Sequence, residues 1–305
     1  MADLSLVPTV QTLDDVLGPE PEPEAPKRPP ARRMYDVAVS VQTHLTAPVS
    51  EGIKTGILPL DACIGSGWRP GDTAVVAAGT GVGKSLLGAQ IARNACRFGH
   101  VLYISAEMPA EKLFMRMLTA ETGINTSRLR DSRVHETEWM GQRGLTASLD
   151  RLAALDMSIL DDGDFTITDV EETAAEAKNL VMVAVDYGQM IEGDAGAKQR
   201  SEEVTKVSRR LKRMAVRLKC VVVVMAQTNR NVDSRAVADK RLILSDISES
   251  GSLAKDASTV MMIEREVMGG NVGRARIRVV KNRDGECGEV DLAFNTNTLT
   301  FERLP

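Results

Sequence analysis

Three observations predict an α/β fold with a mostly parallel central sheet and an antiparallel extension toward the C-terminus. Four short runs, DTAVVAAG (72–79), HVLYIS (100–105), LVMVAVD (180–186) and CVVVVMAQ (220–227), are apolar almost throughout. Strands of a parallel sheet read this way because helices cover both of their faces. Segments of helical periodicity separate these runs, which is the alternation expected of βαβ units. From about Thr259 the pattern changes to three strand-like runs joined by short turns, as in an antiparallel meander.

Residues 1–33 stand apart. LGPEPEPEAPKRPPARR is rich in Pro, acidic first and then basic. Such a segment has too little apolar surface to offset the entropy of ordering, so 1–33 is expected to be a disordered tail. Within it, VQTLDDVLG (Val10 to Gly18) reads either as more of the tail or as an acidic amphipathic turn for a partner. In MYDVAVSVQTHL, Met34, Val37, Val41 and Leu45 fall at helical spacing. A short linker helix is expected within 34–50, its stripe packing on the main domain or on a neighbouring subunit. Residues 51–305 form that main domain. KSLLGAQIARNACRFG (84–99) predicts a helix stopped by Gly99, and EKLFMRMLTAETG (111–123) a second. A third spans Ser201 to Leu218, with Val204, Val207, Leu211, Met214 and Leu218 on one face.

A chain of 305 residues with 43% hydrophobic content can bury a large core. Its formal charge of -4 excludes a surface coated in Lys and Arg but allows a local basic groove. Cys63, Cys96, Cys220 and Cys287 form no C-x-x-C pair and read as thiols of a reducing compartment. His44, His100 and His135 lack metal-ligand spacing. No apolar run reaches the length of a membrane span and no signal peptide opens the sequence, so a cytoplasmic protein without membrane attachment is expected.

The strongest local signal is AGTGVGKS: Ala78, Gly79, Thr80, Gly81, Val82, Gly83, Lys84 and Ser85. It follows one predicted strand and opens a predicted helix, the context of a phosphate-binding loop. Glycines let backbone N–H groups turn toward phosphates, and the helix N-terminus adds partial positive charge. Lys84 can reach the β- and γ-phosphates of ATP, and the Ser85 hydroxyl can ligate Mg2+. The strict pattern begins with Gly where this sequence has Ala78.

Three more polar residues end predicted strands, where ligands collect in open α/β sheets. Asp186 can hold Mg2+ through its water shell, Glu107 can orient and deprotonate an attacking water, and Gln227 can donate to a γ-phosphate. Taken singly, each serves equally well as a loop cap; their joint placement with the phosphate loop points to nucleotide hydrolysis. Near the C-terminus, RIRVVKNRDG (276–285) alternates Arg276 and Arg278 with Ile277 and Val279. It ends in two cations, Lys281 and Arg283, two residues apart.

In that order after AGTGVGKS, the segments SAEMP, VAVDYGQM, AQTNR, LSDISESGSLAKDAS and VKNRDG resemble the motifs of the motor domain of DnaB-type replicative helicases. The resemblance covers about Met34 to Pro305. It implies a RecA-like P-loop ATPase that assembles as a hexameric ring around single-stranded DNA, with ATP between subunits. It implies that Lys281 and Arg283 face the γ-phosphate held by the neighbouring subunit. It assigns DNA-backbone contact to Ser248, Glu249, Ser250 and Gly251. Ser248 stands where the family usually has a basic residue, leaving Lys240, Arg241 or Lys255 to supply the charge. The basic face of KVSRRLKRMAVRLK (206–219) reads as a solvated face or as a lining for DNA or a subunit contact. The family usually carries a helical collar domain before the motor, and here only the Pro-rich tail and short helix precede it. A primase, a loader or a separate collar protein are the further partners implied, in a bacterial or phage-infected cell. Two other classes share parts of the pattern: a RecA- or RadA-like recombination ATPase, and an ATP-switched helicase loader.

Overall fold

A computed structural model of the chain describes residues 33–46, 51–142, 144–161, 163, 165–189, 191, 200–229, 241–247, 251–266 and 272–304. The chain divides into two units, Met1–Ser50 and Glu51–Pro305. In the first, helix α1 (Met34–Thr46) forms where the spacing predicts it, with Met34 and Val41 exposed. The expected tail lies outside the described residues apart from Arg33.

The second unit opens with α2 (Leu58–Ile64). Then β1 (Thr73–Ala78), α3 (Lys84–Ala95), β2 (His100–Ser105), α4 (Ala110–Thr122), α5 (Thr126–Arg130), α6 (Leu145–Ala153), β3 (Met157–Leu160), α7 (Ile167–Glu176) and β4 (Leu180–Asp186) follow. The remainder is α8 (Arg200–Leu218), β5 (Val221–Gln227), α9 (Gly251–Asp256), β6 (Thr259–Glu266), β7 (Val272–Asn282), β8 (Gly288–Asn295) and β9 (Thr300–Arg303). The nine strands form one sheet in the order β3-β2-β4-β5-β1-β6-β7-β8-β9.

The α/β class, the mostly parallel sheet and the antiparallel extension are all present. The extension differs in one respect. It contains four strands where three were expected, and the first, β6, pairs parallel with β1. Antiparallel pairing begins only at β6–β7. The sequence of β6 is compatible with either direction, because both faces of β6 are covered and its apolar run carries no directional signal. Helix α3 also ends earlier than expected. It stops at Ala95, and Gly99 (φ 150°) closes the turn that leads into β2.

Alternate residues of β1 feed two cores. Ala74, Val76 and Ala78 pack with α2, α3, α4 and the far strands, whereas Val75 and Ala77 pack with α7, α8 and α9. The predicted stripe of α8, from Val204 to Met214, is buried in the second core. Among the described residues, no helix is long and apolar enough to cross a membrane.

The segment before β1 is locked by a close backbone crossing. Ile53 and Trp68 exchange N–H···O bonds of 2.8 Å, and the Trp68 indole N–H donates to Thr259 Oγ1 at 3.1 Å. Gly67 adopts φ 82°, and a Cβ there would stand 2.8 Å from the Gly52 carbonyl carbon. Neither the left-handed conformation nor that spacing admits a side chain. Gly67→Ala should therefore cost about 2 kcal/mol or more, read as a lower denaturation midpoint at unchanged m-value. An unchanged midpoint would refute the crossing.

Candidate active site

Strand register brings the predicted polar residues to one edge of the sheet. Ala78 lies opposite Gln227 across β1–β5, and Ser105 lies opposite Asp186 across β2–β4. The phosphate-loop residues that follow β1, Glu107 just past β2, Asp186 ending β4 and Gln227 ending β5 therefore share the C-terminal edge of neighbouring strands. Ala78 itself is a buried strand residue whose carbonyl accepts from the Thr228 N–H at 3.1 Å.

The loop that follows rests on an aromatic floor. Gly81 (φ 74°) and Gly83 (φ 121°) take positive φ, and a Cβ on Gly83 would stand 2.9 Å from the Phe301 ring. Phe301 packs against Phe294 in a tilted arrangement, with ring centroids 4.9 Å apart. Arg265, near the end of β6, donates from Nη2 to the Gly81 carbonyl at 2.9 Å. Its guanidinium also lies 4.4 Å over the Phe294 ring. Sequence reasoning missed Arg265 and both phenylalanines, because no local pattern joins residues about two hundred positions apart.

Lys84 is buried at the start of α3. Its ammonium lies 3.3 Å from Glu107 Oε2 and 4.7 Å over the Tyr187 ring. Asp186 is fully buried, and the Tyr103 hydroxyl donates to its Oδ2 at 3.3 Å. Its Oδ1 has no hydrogen-bond partner. Burial raises the Asp186 pKa above its ordinary value, with Ser85 and Lys84 pulling it back and Glu107 adding to the rise. A buried carboxylate oxygen left unpaired is costly. The hydroxyl of Ser85 beside it completes an all-oxygen donor set. Such a set fits Mg2+, which binds through one or two protein oxygens and takes the rest from water and phosphate.

Gln227 is held from two sides. Its Nε2 donates to Thr80 Oγ1 at 2.8 Å, across to the phosphate loop. Its backbone is gripped by Gln189, whose Oε1 accepts from the Gln227 N–H and whose Nε2 donates to the Gln227 carbonyl, both at 3.2 Å. Gln189 thus pairs with β5 as a further strand would. It was not singled out from the sequence, although it lies in the VAVDYGQM segment.

Beyond Gln227, Thr228 pairs with Ile247 in an isolated antiparallel bridge, and the Asn229 N–H donates to the Asp246 carbonyl at 2.7 Å. Ser248, Glu249 and Ser250 lie outside the described residues; Gly251 opens α9 and is exposed. Of the basic residues expected to compensate for Ser248, Lys240 lies outside the described residues, Arg241 pairs with Glu289 and Lys255 is exposed. On α8, Arg210 pairs with Glu171 at 2.8 Å and Lys212 donates to the Gly71 carbonyl at 3.0 Å. Lys206, Arg209, Arg213 and Arg217 are exposed to differing degrees along the same helix.

Lys281 and Arg283 are brought to the opposite edge. Antiparallel pairing sets Lys281 against Val260 and Asn282 against Thr259, with a register shift beside Val260. The Arg283 N–H donates to the Ser258 carbonyl, and the Ser258 N–H in turn donates to Thr73, the first residue of β1. The loop begins after the last residue of β1, Ala78. Five residue steps at roughly 3.3 Å put about 17 Å between the two edges. Both cations meet the C-terminal end of α9. Lys281 Nζ donates to the Ala254 and Lys255 carbonyls, each at 2.8 Å, and Arg283 Nη2 donates to Lys255 at 3.2 Å. Burial and then the charge of Arg283 lower the Lys281 pKa.

Comparison with known proteins agrees with this architecture. Residues 52–303 match the family model described as the DnaB-like helicase C terminal domain. The Replicative DNA helicase DnaB of Geobacillus stearothermophilus is 35% identical over 253 residues, covering 80% of this chain and 54% of that protein. The chain therefore spans about half the length of the relatives it matches in sequence. A solved ATPase domain superposes with TM-score 0.77 at 25% identity, covering 89% of this chain and 98% of that one. A DnaB-like replicative helicase, solved for its interactions with primase, superposes with TM-score 0.76 at 24% identity over 91% of this chain and 68% of that one.

Arg265→Ala should release the Gly81 carbonyl and weaken nucleotide binding by about 1 kcal/mol, roughly fivefold in Kd, with folding still cooperative. A fluorescent-nucleotide titration beside a thermal melt checks this. Unchanged affinity would mean that the bond does not order the loop.

Proposed function

Because the chain belongs to the DnaB-like helicase C-terminal domain family, we propose that it is an ATP-hydrolysing motor that translocates on single-stranded DNA during replication. Its sites lie at subunit interfaces of a hexameric ring, in the cytoplasm of a bacterial or phage-infected cell. The observation that carries this reading is the separation of charges across the sheet. Lys84, Ser85, Asp186, Glu107 and Gln227 gather at the edge where β1 ends, whereas Lys281 and Arg283 gather where β1 begins. Cations so far from their own phosphate loop act on another subunit's phosphate. The family match includes this hairpin and favours the motor over the recombination ATPase and the loader.

Each group has a stated task. The loop amides and Lys84 hold the phosphates of ATP, and Ser85 with Asp186 hold Mg2+. The metal supplies charge neutralisation on the phosphate oxygens. Nucleotide phosphate competes with Glu107 for Lys84; once released from that 3.3 Å pair, Glu107 orients and deprotonates the attacking water. Gln227 donates to the γ-phosphate when its amide leaves Thr80. Arg283 and Lys281 of the adjacent subunit stabilise the charge that develops in phosphoryl transfer. DNA is gripped through its backbone by Ser248 to Gly251. A primase or a loader completes the replicative assembly; a DnaB-like helicase has been solved for its interactions with primase.

Two measurements test this. Lys84→Ala should abolish hydrolysis and weaken ATP binding, while Glu107→Gln should keep binding and lose about 10²–10⁴-fold in turnover. Hydrolysis by Glu107→Gln at the parent rate would remove Glu107 from its role.

For the neighbour's contribution, an Arg283→Ala chain is mixed with a Lys84→Ala chain. Each should be inactive alone, and the mixture should regain ATPase activity at interfaces that join an intact loop to an intact Arg283. Background activity in mixtures shown by mass to contain both chains would place the arginine's action within its own subunit.

A further inference from the structure

Cys63 and Cys287 are far apart in sequence and take no part in the nucleotide chemistry. Cys63 is on α2, beside Ile64 at its C-terminal end, and Cys287 is in the exposed turn between β7 and β8. The Cys63 sulfur packs against Gly288, 2.8 Å from where a Cβ would stand. The missing side chain at Gly288 leaves the space that this sulfur occupies. Gly288 directly follows Cys287, with consecutive Cα atoms about 3.8 Å apart, and the Cys63 thiol feels the charge of a Cys287 thiolate, so the two side chains share one neighbourhood. The turn is already tied to α2: Asn282 Nδ2 donates to the Ile64 carbonyl at 3.3 Å and to the Glu286 carbonyl at 3.2 Å. All four cysteines are free, but the other two have different settings. Cys220 is buried, and Cys96 bonds back to the Ala92 carbonyl of its own helix.

We propose that Cys63 and Cys287 form a reversible disulfide by exchange with a small-molecule disulfide, pinning to α2 the turn that carries Arg283 and lowering turnover. The exposed Cys287 enters first. Its thiol gives up a proton to water, its sulfur attacks one sulfur of the small disulfide, and that S–S bond breaks to release one small thiol. Cys63 then loses its proton and attacks the Cys287 sulfur of the mixed disulfide, releasing the second small thiol. Two protein thiols are oxidised by two electrons, and the small disulfide is reduced to two thiols. Burial raises the Cys63 pKa, and a nearby Cys287 thiolate raises it further. Burial favours the protonated form of Cys63 throughout, and conversion of Cys287 to the mixed disulfide removes only the smaller of the two causes. A cross-link across α2 and the turn removes the freedom that Arg283 needs to leave the α9 carbonyl for a neighbouring phosphate. The loss of turnover rests on the role proposed for Arg283; the cross-link itself does not.

The test uses the full chain, treated with oxidised glutathione at graded ratios to reduced glutathione. Peptide mapping without reduction should find Cys63 joined to Cys287 in the parent, and in neither Cys63→Ser nor Cys287→Ser. DNA-stimulated ATPase should fall several-fold in the oxidised parent, return on adding reductant, and stay constant in both variants. Glutathione held only on Cys287, or Cys287 joined to a second chain, would overturn the pairing. A cross-link formed with ATPase unchanged would overturn the switch. The map is read without ATP, so a failed pairing is distinguishable from a failed assignment of Arg283, which the mixing of inactive chains decides by itself.

Discussion

The parallel register around β1 is the constraint on which the rest of the structure depends. Each parallel neighbour must send its C-terminal end to the same edge, and the pairing of Ala78 with Gln227 and of Ser105 with Asp186 levels those ends. The two cores on either face exclude polar side chains from the strand interiors. Polar groups therefore collect at the tips, where backbone leaves the sheet and water enters. The site is a consequence of that geometry, and its chemistry lies in which residues stand at the four tips. The same rule acts in reverse on β7. Running antiparallel to β6, it delivers Lys281 and Arg283 to the edge that the tips leave behind.

The polar and charged groups at the two edges have partners within the chain. Glu107 takes the Lys84 ammonium, Thr80 takes the Gln227 amide, and the α9 carbonyls take Lys281 and Arg283. Cations at a helix C-terminus are favourable in their own right. On the reading proposed above, nucleotide binding and subunit contact exchange partners rather than create them. Asp186 Oδ1 is the exception, a buried acceptor with nothing to accept.

Much of this was legible in the sequence because it is local. The apolar runs of β1, β2, β4 and β5 announce strands buried on both faces, and the stripe of α8 announces its buried side. AGTGVGKS carries its own context of strand, turn and helix. Strand ends are local too, which is why Glu107, Asp186 and Gln227 could be named. What could not be read depends on pairing between distant segments. The direction of β6 follows from its neighbour β1 rather than from its own residues. The short strand β3 has only four residues, none of them fully buried, and gives little periodicity. Gln189 and Arg265 each bind a backbone group of another segment, and no spacing rule signals such a contact. The meeting of Lys281 with α9 likewise required the hairpin's direction, which the alternation of Arg276, Ile277, Arg278 and Val279 leaves open.

The aromatic floor beneath Gly83 has a consequence for how the protein is made. Phe294 and Phe301 follow the loop in sequence by more than two hundred residues. At ordinary synthesis rates, roughly 10–40 s pass between emergence of the loop and emergence of its support. During that interval the glycines of the loop lack the rings that support them in the finished fold. A ribosome-bound fragment ending before β8 therefore carries the whole AGTGVGKS segment without the aromatic floor on which it rests in the finished fold. The final shape of the loop is in this sense set only when the last strands are in place.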